Sequence, residues 1–144
     1  MPNSLKPKIV YTNDLPRENE FFEIFQTTGW NQKYNLTSSE LKVALHQSWY
    51  CLSAYHDEKL VGFGRILCDG VVHALILDLI VLPDYQRHGI GQSILDHLVN
   101  RCKTHKIRDI QLFSAKGYSR FYKNRGFKER PEDAPGMEYQ VNDN

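Results

Sequence analysis

The sequence predicts an α+β domain of six to seven strands and about four helices spanning residues 1–144. Three observations lead to it. Leu75-Ile76-Leu77-Asp78-Leu79-Ile80-Val81-Leu82 is an apolar run broken by one charge, the pattern of a strand covered on both faces. Further on, Ile90, Ile94, Leu95, Leu98, Val99 and Cys102 share one helical stripe. Between the two lies a turn carrying Gly89 and Gly91, so the central unit reads strand, glycine turn, helix.

The remaining elements follow in chain order. Lys8-Ile9-Val10-Tyr11-Thr12 is a short strand. Asp14 and Pro16 allow a helix to start, with Phe21, Phe22, Ile24 and Phe25 as its stripe and Gly29 beyond its end. Trp30 to Asn35 reads as an aromatic, polar loop. Thr37-Ser38-Ser39-Glu40 has the form of a capping box, and the helix after it carries Leu41, Ala44 and Leu45. Trp49 to Tyr55 and Leu60 to Leu67 are strands, and Asp69-Gly70 is a hairpin turn into the central strand. After the long helix, Asp109 to Phe113 reads as another strand, and Lys116 to Arg125 as a short helix that Gly126 ends in a left-handed cap. Phe127 to Val141 reads as a final hairpin, with Met137-Glu138-Tyr139-Gln140-Val141 alternating.

Composition narrows the function classes. Eighteen basic and seventeen acidic side chains leave a net charge of +1, which gives no broad field for nucleic acid. No apolar run approaches the roughly 18 residues of a membrane span. Met1-Pro2-Asn3-Ser4 is polar and has no signal-peptide core, so a cytoplasmic location is expected. Cys51, Cys68 and Cys102 are odd in number and lack metal-ligand spacing, so they are read as core fillers and no metal is expected.

The turn before the long helix is suited to an anion. The first amides of a helix have no intrahelical partner, and the helix dipole adds roughly half a positive charge there. Gly89 and Gly91 remove side chains that would block a close ligand, and Arg87, His88 and Gln92 flank the same place. A pyrophosphate suits such a site.

The residues here resemble a known family. Gln86-Arg87-His88-Gly89-Ile90-Gly91 is similar to the Q/R-x-x-G-x-G/A motif of the GNAT superfamily of acetyl-CoA-dependent N-acetyltransferases. Val81-Leu82-Pro83-Asp84-Tyr85 resembles the segment that precedes it in that family, and Phe121-Tyr122-Lys123-Asn124-Arg125-Gly126-Phe127 resembles its later [FL]-Y-x-x-x-G-F segment. The resemblance implies an α/β/α layered fold around a mixed, mostly antiparallel sheet whose central strands splay apart. It implies that acetyl-CoA is the cosubstrate. Leu79, Ile80 and Val81 would pair with its pantetheine arm. Arg87, His88, Gly89, Ile90, Gly91 and Gln92 would cradle its pyrophosphate, with Phe121 and Tyr122 nearby. A backbone amide of Ile80 or Val81 would stabilise the oxyanion.

The same resemblance makes Tyr122 the acid that protonates the departing thiolate. A thiol has a pKa of roughly 8.5 and a tyrosine about 10, so this transfer is uphill by only ~2 kcal/mol. The amine is the harder partner. At a pKa near 10.4, about one in 2,500 molecules is neutral at pH 7, a cost of roughly 4.6 kcal/mol. Relatives carry an acid or histidine on one face of the central strand, where this chain has Leu75 and Leu77, and Asn or Asp where it has Ala115. Asp78 is the charge inside the apolar strand. It must find hydrogen-bond donors or stay protonated, and it stands as a structural acceptor or as a base. His73 has a suitable pKa for a base and sits at the start of the strand. Trp30, Asn31, Tyr34 and Tyr118 are candidates for binding the acceptor.

The function expected from the resemblance is transfer of an acetyl group to a primary amine of a small molecule, by direct attack in a ternary complex. Acetylation of protein lysines or N-termini is the rival enzyme reading, and a CoA-binding sensor without catalysis is the rival of another class. Neither nucleic acid nor membrane is expected as a partner. A homodimer is compatible with exposed strand ends.

Overall fold

The computed structural model describes residues 7–141, so the polar stretch Met1–Ser4 lies outside the described residues. The chain forms two compact units, one ending at Phe113 and one beginning at Ser114.

The first unit is a mixed sheet flanked by helices. Its order is β1 (Ile9–Thr12), α1 (Glu18–Gln26), α2 (Asn31–Tyr34), α3 (Ser38–His46), β2 (Tyr50–His56), β3 (Lys59–Cys68), β4 (His73–Val81), a 3-10 turn (Pro83–Tyr85), α4 (Ile90–Thr104) and β5 (Asp109–Leu112). The strands lie in the order β1-β2-β3-β4-β5. All neighbours are antiparallel except β4 and β5, which are parallel and joined through α4.

The local rules expected of the sequence operate here. Thr37 accepts from the Glu40 amide while Glu40 accepts from that of Thr37, closing the capping box of α3. Asp69 Oδ1 accepts from the amides of Val71, Val72 and His73, which fixes the turn into β4. Phe21, Ile24 and Phe25 of α1 and Leu41 and Leu45 of α3 pack with Cys51, Phe63 and Ile80 on one sheet face. Helix α4 covers the other face with Ile90, Ile94, Leu95, Leu98 and Cys102. Its close approach depends on two glycines in β3. A Cβ on Gly62 would come 2.9 Å from Ile94, and one on Gly64 would come 2.9 Å from both Ile94 and Leu98.

The second unit contains α5 (Ser119–Lys123), shorter than the expected helix over Lys116 to Arg125. Gly126 follows it at φ +97°, and the Phe127 amide returns to the Tyr122 carbonyl at 3.1 Å, so the left-handed stop is present.

The expected six to seven strands and about four helices become five strands and five α-helices among the described residues. Two changes account for this. Trp30 to Asn35, expected as a loop, contains the one-turn α2. Residues 127–141 form no strand, and Met137, Tyr139 and Val141 are exposed. Pro131 and Pro135 remove ladder donors around that alternating stretch, and alternation without a paired ladder leaves backbone groups to solvent.

Candidate active site

β4 changes character along its length. Its first half pairs with β5 from His73↔Asp109 to Ile76↔Leu112, where the pairing stops. Leu77–Val81 continue beyond it with β3 on one side and no described strand on the other. The family resemblance implies a parting of the central strands at this place. It coincides with a bulge. Phe63 pairs with Ile80 and Arg65 with Leu77, so Gly64 faces both Asp78 and Leu79. Asp78 takes φ +53° to make the extra residue fit.

Ladder geometry then assigns the backbone groups. The Leu82 amide donates to the Val61 carbonyl of β3 at 2.9 Å. In an antiparallel pair alternate residues point the same way, so the backbone groups of Ile80 also face β3 and those of Val81 face the open edge. The Val81 carbonyl accepts from Gln86 Nε2 at 3.0 Å. Of the two expected oxyanion donors, the Val81 amide therefore has the better direction. Ile80 serves through its side chain, which is buried in the core. Leu79 is half-buried, its side chain directed to Gly64.

The open edge runs into the turn. The Tyr85 amide donates to the Leu82 carbonyl at 2.8 Å, and the Tyr85 hydroxyl lies 2.6 Å from His56 Nδ1. Arg87 at φ +67° and Gly89 at φ +81° bend the chain into α4. Gly89 is the N-cap and supplies no side chain, and the Ser93 amide closes the first turn on its carbonyl at 3.0 Å. The amides of Ile90, Gly91 and Gln92 thus precede the first helical bond. A Cβ on Gly89 would meet nothing within 4 Å. Arg87, His88 and Gln92 are exposed around this space, whereas the Ile90 side chain is buried. An open strand edge leading to an uncapped helix start fits a ligand with an amide-bearing arm and a phosphate group, as acetyl-CoA is.

In the second unit, Tyr122 sits on α5 between two aromatic rings. Phe121 and Phe127 meet it edge-on at 5.1 and 6.0 Å. Burial pushes its hydroxyl above the usual tyrosine range, and neighbouring Tyr118 adds to the effect. Tyr122 therefore stays protonated at neutral pH, as a proton donor must. Tyr118, half-exposed, is the N-cap of α5.

The candidate acceptor residues divide. Trp30 packs edge-on against Phe25 at 5.8 Å beside the core. The Asn31 amide bonds Gln26 and both backbone groups of Leu36, which closes the turn after α2. Tyr34 is 57% exposed and so is available to a ligand. His73 lies at the far end of β4 from the turn, with Nδ1 2.8 Å from Asp109 Oδ2.

Asp78 is held by a residue the sequence reading left out. Arg65 Nε donates to Asp78 Oδ2 at 2.6 Å. The signal was available: one cation in an apolar strand, one anion in the next, joined by a hairpin. His56, the partner of Tyr85, left no comparable trace.

Comparison with known proteins agrees with this geometry. The family model of the acetyltransferase (GNAT) domain matches residues 47–129, which hold both the parted strand and the tyrosine helix. The uncharacterized N-acetyltransferase ycf52 of Pyropia yezoensis is 30% identical over 122 residues, 82% of this chain and 68% of that protein. GCN5-related N-acetyltransferase 2, chloroplastic, of Arabidopsis thaliana is 36% identical over 81 residues, 56% of this chain but 31% of that protein. A solved GNAT family acetyltransferase of Streptococcus pneumoniae superposes with a TM-score of 0.76 at 25% identity, covering 94% of this chain and all of the other. Fold and site thus define the class, an N-acetyltransferase. The chain belongs to the GNAT acetyltransferase family.

Proposed function

We propose that this chain transfers the acetyl group of acetyl-CoA to a primary amine of a small molecule, by direct attack within a ternary complex. The observation that carries this reading is the open edge of β4 running into the uncapped start of α4. When bound, acetyl-CoA supplies the activated acetyl thioester.

The residues divide the work. Leu79 and Val81 offer backbone groups to the pantetheine arm. The amides of Ile90, Gly91 and Gln92, with Arg87 and His88 beside them, hold the pyrophosphate at the position Gly89 leaves clear. The Val81 amide donates to the thioester carbonyl oxygen as negative charge gathers there. Tyr122 returns a proton to the departing thiolate. Tyr34 and Tyr118 contact the acceptor. His73 is engaged by Asp109 and Asp78 by Arg65, so we assign the amine proton to solvent rather than to a lone base.

Among the described residues no helix is long and apolar enough to cross a membrane. Our proposal includes one acetyltransferase domain over residues 1–144, a cytoplasmic site of action and a homodimer. The Arabidopsis relative carries the word chloroplastic in its name.

The test is thiol release from acetyl-CoA with polyamines, arylalkylamines, aminoglycosides, amino acids and peptides. Turnover on a small amine supports the proposal. Turnover confined to peptides replaces it with protein acetylation. Tight CoA binding without turnover on any amine replaces it with a sensor.

A further inference from the structure

Arg65 joins three parts of the first unit. Its Nε donates to Asp78 Oδ2 at 2.6 Å, while Nη1 donates to Ser48 Oγ at 3.2 Å and to the Ala44 carbonyl at 3.4 Å. The side chains of Arg65 and Asp78 are 13% and 18% exposed, so solvent screens the pair weakly. Ala44 lies in the last turn of α3 and Ser48 just beyond that helix. One guanidinium therefore spans the end of α3, the middle of β3 and the bulge of β4.

The bulge needs such a hold. An L-residue at φ +53° carries backbone strain, and Asp78 is the residue that accepts it. Opposite it is Gly64, which offers no side chain to pin the irregular pair. The charged hydrogen bond to Arg65 is the fixed point of the bulge, and Val81 on the open edge lies only three residues further on. The Oδ2 oxygen of Asp78 is thereby occupied by Arg65.

We infer that Arg65 is a positioning residue for acetyl transfer: through Asp78 it sets the bulge that aims the Val81 edge, and through Ala44 and Ser48 it ties that edge to α3. The inference rests on the function proposed above. It makes Asp78 part of the clamp and not the base.

The test uses the full chain with Arg65→Met, Asp78→Asn, the double variant and Ser48→Ala. Titration calorimetry with CoA and steady-state kinetics are the readouts. The clamp predicts that Arg65→Met and Asp78→Asn each lose roughly tenfold or more in kcat/KM. It also predicts that CoA affinity falls by a similar factor in both, and that the double variant is no worse than the worse single one. The pH profile of Asp78→Asn keeps the wild-type shape.

If Asp78→Asn abolishes turnover and flattens one limb of that profile while Arg65→Met stays within twofold, Asp78 is the base and the clamp is refuted. All variants within twofold of wild type also refute it. Should either charge variant fail to fold, Ser48→Ala decides, because it trims one arm of the clamp and leaves the ion pair. A two- to fivefold loss there upholds the proposal, and no loss overturns it. Wild-type protein that releases no thiol with any amine defeats the functional reading, and the CoA affinities of the variants still judge the clamp.

Discussion

The Tyr85 hydroxyl lies 2.6 Å from Nδ1 of His56, which ties the turn before α4 to the end of β2. Their rings meet edge-on at 5.4 Å, and Lys59 Nζ stands 5.9 Å from the centre of the Tyr85 ring. The turn that carries the anion site is thus anchored from outside by a strand that takes no part in the site itself. A net hydrogen bond of this kind contributes about 1 kcal/mol. Tyr85→Phe should raise the KM for acetyl-CoA by about fivefold and leave kcat nearly unchanged. Steady-state kinetics at fixed amine would check it, and an unchanged KM would remove the anchor.

Gly89 combines φ +81° with open space where a side chain would stand. Gly89→Ala therefore meets no protein atom, yet it strains the backbone by about 1 kcal/mol and pushes a methyl group toward the phosphate position. The expected result is a melting temperature lower by a few degrees and at least tenfold weaker CoA binding. Equal losses in both measurements would mean that the glycine serves the fold alone.

Gly64→Ala should act through the core instead. Its methyl group would lie 2.9 Å from Ile94 and Leu98, both fully buried. Overpacking of this kind costs about 1–3 kcal/mol. Thermal or urea unfolding should show that loss. Wild-type stability would mean that α4 has room to retreat.

Tyr122→Phe keeps the ring contacts with Phe121 and Phe127 and removes the proton. A general acid contributes about 10²–10⁴-fold, so kcat should fall in that range while CoA affinity holds. The wild-type hydroxyl is pushed above its ordinary value, so the alkaline limb of kcat due to this group should lie above pH ~10. A limb near neutrality that vanishes in the variant would contradict the assignment.

Glu20 and Tyr55 give the first unit a pH signature. Burial alone would raise the Glu20 pKa, but bonds from the Arg17 side chain and amide and from the Tyr55 hydroxyl more than offset it, so the value falls below the usual range. A lowered carboxylate pKa adds stability that is present above its unfolded value and lost as pH falls through the folded one. Burial, and then Glu20, pushes Tyr55 up to about 12. That contribution is present below the unfolded tyrosine value and lost as pH rises toward 12. Urea midpoints measured against pH should therefore decline at both ends, and Glu20→Gln should flatten the acid side.

Much of the fold could be read from residue order, because its signals are local. Thr37 and Glu40 close their box, Asp69 fixes its turn, and the stripe from Ile90 to Cys102 becomes α4 with the expected face inward. The bulge could not be placed. Leu75 to Leu82 is apolar at every position but Asp78, so no alternation marks the residue at which the pattern shifts. Trp30 and Asn31 are candidates because the resemblance puts acceptor specificity in their loop, and their packing and turn closure are facts of the folded chain that residue order does not carry. Met137 to Val141 has the period of a strand, but its alternating apolar side chains remain exposed. Period alone does not supply a pairing partner.

The bulge has a last consequence. Cross-strand partners share a face, so Leu77 points the same way as Arg65 and Ile80 the same way as Phe63, although three positions separate Leu77 from Ile80. β4 thus holds two segments written in opposite phase, with Asp78 and Leu79 as the splice between them. Loss of a single codon from 77–79 would remove the extra residue and leave Leu77 and Ile80 two positions apart, so both would keep their faces in a regular strand and the bulge alone would vanish. A change of length there would cost the bulge itself and not the core face of Ile80.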